Sequence, residues 1–83
     1  MNEIFPRTFY VLREHDETGI SGTGRVLEGV VFHTGQIVIC WHSQYLSITI
    51  FDSWSAFDGV HLHAHPENRT RIIFQDGGTA PPP

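Results

Sequence analysis

The sequence predicts a small all-β domain, a five-stranded antiparallel barrel of SH3-like element order with one short helix before the last strand. Three observations carry this reading. Short runs rich in β-branched and aromatic residues recur along the chain, polar glycine-containing stretches separate them, and a single helical spacing follows the fourth run. The 83 residues divide into a flexible N-terminus over 1–6, one barrel domain over 7–76 and a disordered Pro-rich tail over 77–83.

The first strand is Arg7 to Arg13, Arg-Thr-Phe-Tyr-Val-Leu-Arg. From Glu14 to Gly24 the periodicity is lost among glycines, threonines and a serine, which predicts a long loop. Strand character resumes from Arg25 to Phe32, and Gly29 within it predicts a bulge or a close backbone approach. Phe32-His33-Thr34-Gly35-Gln36-Ile37 reads as a tight hairpin with Gly35 in the left-handed conformation. In the third strand, Gln36 to Trp41, residues Ile37, Ile39 and Trp41 share one face and Val38 and Cys40 the other. Both faces are apolar, so this strand is expected in the middle of a barrel or sandwich, or in an oligomer interface. Leu46 to Phe51 forms the fourth strand, with Ile48 and Ile50 opposite Thr49 and Phe51. Asp52-Ser53 offers an N-cap to a short helix whose apolar side carries Trp54, Phe57 and His61, with Gly59 ending or weakening it. The last strand runs from Thr70 to Asp76, with Ile72 and Phe74 facing away from Ile73.

Composition excludes several function classes. With 40% apolar and 17% charged residues the chain is an ordinary folding sequence rather than a disordered one. Its net charge is −4 and every basic residue is an arginine, so broad coating of nucleic acid is not expected, although a local arginine cluster can still hold one phosphate. Cys40 is the sole cysteine, which fits a reducing compartment, and the cytoplasm is the expected location. No basic segment followed by an apolar stretch opens the chain, and no apolar run approaches the about 20 residues of a membrane span. A domain this small buries a modest share of its surface, which makes a homo-oligomer an expected source of added stability.

Three groups of residues can carry chemistry. Thr18 to Arg25 is a Gly-rich stretch in which Ser21, Gly22, Thr23 and Gly24 can turn backbone N–H groups and hydroxyls toward an anion, with Arg25 as a bidentate fork. It is neither a Walker loop nor a dinucleotide fingerprint, because no Gly-Lys-Ser/Thr and no helix follow, and a flexible connection whose glycines satisfy turn geometry is the favoured account. Tyr45 lies in a polar turn beside His42, where an exposed ring can stack on a partner or a base. His61, His63 and His65 project to one side of an extended segment and can offer nitrogens to zinc, whereas a surface turn with ordinary hydrogen bonds is the plainer account. Trp41 and Phe51 are expected in the core, and Cys40 buried and inert. No nucleophile elbow or acid–base pair is present, and no resident cofactor is expected, so the chain reads as a non-enzyme.

The string Ser21-Gly22-Thr23-Gly24, then Glu28 to Phe32, Gly35 before a strand ending in Trp41, Asp52-Ser53, Val60-His61 with His63, and Thr70-Arg71-Ile72 resembles a group of small uncharacterised proteins from actinobacteria and their phages. The resemblance covers residues 9 to 76. It implies a phage accessory or host-interaction role and no particular reaction. Leu62 to Asn68 departs from that group, where a shorter glycine-rich turn is expected, and this sets His65 apart. Together these readings predict a small non-enzymatic binding module that recognises a protein partner or a small ligand through its Gly/Ser/Thr loop. The alternatives are a protein that sequesters an anionic nucleotide and a zinc-binding protein.

Overall fold

Alternation along β1 (Arg7–Arg13) sends Arg7, Phe9, Val11 and Arg13 to one side, where all four are buried, and Thr8, Tyr10 and Leu12 to the other. The structure, a computed structural model, describes residues 4–14, 24–42, 45–62 (backbone alone at 61–62) and 70–81. The remaining strands are β2 (Gly24–Val31), β3 (Ile37–Trp41), β4 (Ser47–Phe51) and β5 (Thr70–Phe74). They form one antiparallel sheet in the order β4-β3-β2-β1-β5.

The edge strands β4 and β5 do not pair with each other, so among the described residues the sheet is open where the sequence suggested a closed barrel. The core is covered by a different device. Ser53 caps helix α1 (Trp54–Phe57), its hydroxyl accepting from the Ala56 N–H at 3.1 Å, and the chain continues as one π-helical turn over Asp58–Leu62. Gly59 therefore lies within the helical segment, while the α-helical part ends before it. Trp54 and Phe57 lie against the sheet. Phe9 sits 5.3 Å from the Trp54 ring, 5.9 Å from Phe57 and 5.2 Å from Phe74, in tilted and edge-on pairs. With Val11, Val26, Leu27, Val31, Ile37 and Ile39 these rings make the interior.

Two local features tighten β2. The register runs Val11 opposite Leu27 and then Leu12 opposite Arg25, so Val26 is an extra residue and both Val26 and Leu27 are buried. The bulge is thus three residues from Gly29, which serves instead as a close approach: a Cβ there would lie 2.8 Å from Phe9 Cζ and 2.9 Å from both Ile39 Cδ1 and the Val38 carbonyl oxygen. The β2–β3 hairpin closes as its sequence requires, with Gly35 at φ +92° donating to the Phe32 carbonyl at 2.9 Å.

Arg7 is buried yet fully engaged. Its Nε and one terminal nitrogen donate to the two oxygens of Asp76 at 2.7 and 3.2 Å, the latter nitrogen also donates to the Thr79 carbonyl at 2.9 Å, and the guanidinium lies 4.0 Å from the Phe74 ring centroid. Gly78 and Thr79 are held here by that carbonyl and by the Gly78 N–H, which donates to Asp76 at 2.7 Å. No helix among the described residues is long and apolar enough to cross a membrane.

Candidate binding site

The sheet has one covered face and one uncovered face. On the uncovered side stand Thr8, Tyr10 and Leu12 of β1, Arg25, Glu28 and Val30 of β2, Val38 and Cys40 of β3, Ile48 and Ile50 of β4, and Arg71 and Ile73 of β5. No described element packs on it, so Cys40, expected to be buried, is half-buried, and Ile48 and Ile50 remain 68% and 67% exposed. Trp41 faces the interior side but is also half-buried, its indole N–H donating to the Thr49 hydroxyl at 3.0 Å.

Register places charge at one end of this face. Leu12 pairs with Arg25 on one side and with Arg71 on the other, so the two arginines flank it across a span of about 10 Å, twice the strand spacing. In the next row Tyr10 carries the Arg25 guanidinium over its ring, with Cζ 3.9 Å from the centroid. Among the described residues neither Arg25 nor Arg71 makes an ion pair. The ring contact sets the plane of the Arg25 cation, and among the described residues its N–H edges are unclaimed by carboxylates. Such a fork suits an oxyanion in a way that a mobile ammonium does not.

A concavity of about 460 Å³ runs beside this row, lined by Thr8, Tyr10, Arg25, Glu28, Val38 and Cys40 among others. Its volume is in the range that small-molecule sites occupy, about 300–1,000 Å³. Polar groups sit at its rim: Thr8 bonds Gln75 through its hydroxyl, and Glu28 lies 3.5 Å from His42 Nε2. The His42 backbone N–H donates to the Val26 carbonyl at 2.9 Å, which fixes the end of β3 against the bulge.

The residues expected from the sequence fall as follows. Gly24 opens β2 at φ +81° with Arg25 next to it, His42 follows β3, and exposed Tyr45 precedes β4, so these four lie at the same end of the sheet. Ser21, Gly22, Thr23, His63 and His65 lie outside the described residues, and of His61 only the backbone is described. Among the described residues no group of three His, Cys, Asp or Glu side chains is placed to hold a metal ion. Sequence reasoning missed Tyr10, Glu28 and Arg71. Tyr10 alternates with Thr8 and Leu12 and so had to face away from Phe9 and Val11, a signal that is readable once the other face is known to be the core.

No curated protein and no solved structure matches this chain. A family model does, over residues 6–76, which take in all five strands and the helix, and the chain therefore belongs to the Acb5 phage protein family.

Proposed function

We propose that this phage-family protein is a small non-enzymatic binding module that captures a small anionic ligand, of nucleotide type, at the arginine-bearing end of its uncovered sheet face. The observation that carries the reading is the Arg25 guanidinium stacked on Tyr10 beside a concavity, with Arg71 in the same row. Arg25 and Arg71 would take the negative group, the apolar floor of Val38 and Cys40 a planar ring, and the Glu28 carboxylate a donor on that ring. Ser21, Gly22, Thr23 and Gly24 would add N–H and hydroxyl donors next to Arg25, and His42 and Tyr45 would border the same end. The meander order with β5 returning beside β1 is in keeping with an SH3-like arrangement opened on one side.

Thermal melts and calorimetric titrations with a panel of ribonucleoside mono- and triphosphates test the proposal. A nucleotide that raises Tm in the wild type should lose that effect in Arg25→Ala and in Tyr10→Ala, both of which remove side chains outside the core and leave the unliganded Tm near that of the wild type. Absence of a response to every nucleotide would refute it.

A second reading concerns self-association, and one observation favours it. Leu46, Ile48 and Ile50 project from the edge at β4, a strand with no charged residue in a chain of net charge −4. An isologous contact between two β4 strands would cover apolar surface without opposing like charges. Light scattering after gel filtration should then give twice the chain mass, and Ile50→Lys should return the monomer mass with an unchanged circular dichroism spectrum.

A further inference from the structure

Strand β1 carries a buried arginine at each end, Arg7 at 2% exposure and Arg13 at 7%. They differ in what answers their charge. Arg7 holds a bidentate carboxylate, a carbonyl and an aromatic face. Arg13 has a buried Nε with no hydrogen-bond partner, and among the described residues no acidic group forms an ion pair with it. Withdrawing a guanidinium from water is costly unless an anion and acceptor atoms replace the solvent, and a guanidinium cannot escape that cost by losing its proton. Arg7 shows what a satisfied site in this fold looks like. Arg13 is also buried and, among the described residues, has no such anion.

The surroundings fit an external oxyanion. Across the sheet, Arg13 pairs with Gly24, which brings no side chain, and with half-buried Thr70, whose hydroxyl is a further donor. Arg25 and Arg71 flank the adjacent residue Leu12 on the opposite face, so three of the chain's five basic residues occupy two successive rows at one end of the sheet, in a chain of net charge −4. We infer that Arg13 anchors a second anion site, on the core side of this end, which takes a phosphate group through its Nε–H and terminal N–H edge. The site stands apart from the uncovered face, since Arg13 belongs to the set of side chains that point away from Arg25 and Tyr10.

Inorganic phosphate is the probe. Titrated into the intact protein against sodium chloride of equal ionic strength, it should raise Tm along a saturable curve that chloride does not reproduce, with matching broadening of the phosphorus-31 resonance. In Arg13→Gln the half-saturating concentration should rise about ten- to a hundredfold, the equivalent of one charge-assisted hydrogen bond. Arg13→Met, which removes the uncompensated charge, should melt no lower than the wild type in chloride and should lose the saturable response. Arg25→Ala should keep it. A wild type that responds to phosphate only as it does to chloride, or a response abolished by Arg25→Ala and retained in Arg13→Gln, would overturn the assignment. If neither Arg13 variant folds, phosphorus broadening that persists in Arg25→Ala supports the assignment, and broadening lost in Arg25→Ala overturns it.

Discussion

Replacing Gly29 by alanine adds one methyl group at the most crowded point of the sheet. That carbon would lie 2.8 Å from Phe9 Cζ and 2.9 Å from Ile39 Cδ1 and the Val38 carbonyl oxygen. Carbon atoms rest at about 3.5 Å or more, so the two carbon neighbours must yield by about 0.6–0.7 Å, and the carbonyl oxygen must give way as well. Phe9 is hemmed in by Trp54, Phe57 and Phe74, and the Val38 carbonyl belongs to the backbone of β3, so neither yields cheaply. Overpacking of this kind costs about 1–3 kcal/mol, against which the smaller unfolded-state entropy of alanine returns about 0.4–1 kcal/mol. The net loss is about 1–2 kcal/mol, or roughly 5–15 °C in Tm for a domain of this size. Melts followed by circular dichroism, with urea midpoints at unchanged slope, measure it. Gly59→Ala is the matched control, because nothing lies within 4 Å of a Cβ there, and its Tm should stay within a few degrees of the wild type. A Gly29→Ala Tm equal to the wild type, or a Gly59→Ala loss as large, would refute the packing argument.

Two further outcomes follow from named contacts. The Arg7 guanidinium and then the Gly78 N–H hold the Asp76 carboxyl below its usual 3.8. The stability this lends is complete above that value and disappears as pH falls through the lower folded-state value, so the wild type should lose Tm on acidification below about pH 4 by an amount that Asp76→Asn does not show. At neutral pH the same variant leaves Arg7 buried without its anion and should melt lower than the wild type. Ser53→Ala removes the acceptor for the Ala56 N–H and should cost about 1 kcal/mol, read as a lower urea midpoint.

Much of the fold was legible because local chemistry decided it. The alternation of Arg7 to Arg13, the turn demanded by Gly35 and the cap at Ser53 all sit where sequence patterns place them. The second layer was not legible. Val38 and Cys40 are apolar on the side away from Ile37 and Ile39, and an apolar face reads as a covered face, whereas here it is uncovered among the described residues. Alternation says which residues share a face but not whether anything lies on it. Gly29 reads in the sequence as a bulge or a close backbone approach; it is the close approach, while the extra residue is Val26, accommodated because both it and Leu27 find apolar neighbours. For the site, Arg25 was visible from its glycine-rich neighbourhood. Its partnership with Tyr10 and Arg71 depends on register between strands distant in sequence. The burial of Arg7 and Arg13 follows from their phase with Phe9 and Val11, a phase that composition alone argues against.

Ligand capture by the uncovered face is tested most directly by an amide-resolved NMR titration of the wild-type protein with the nucleotide panel. The predicted result is a set of saturable shifts confined to Tyr10, Arg25, Glu28, Cys40 and Arg71. Shifts confined to the Phe32–Gly35 hairpin and α1, or an unchanged spectrum with every nucleotide, would contradict it.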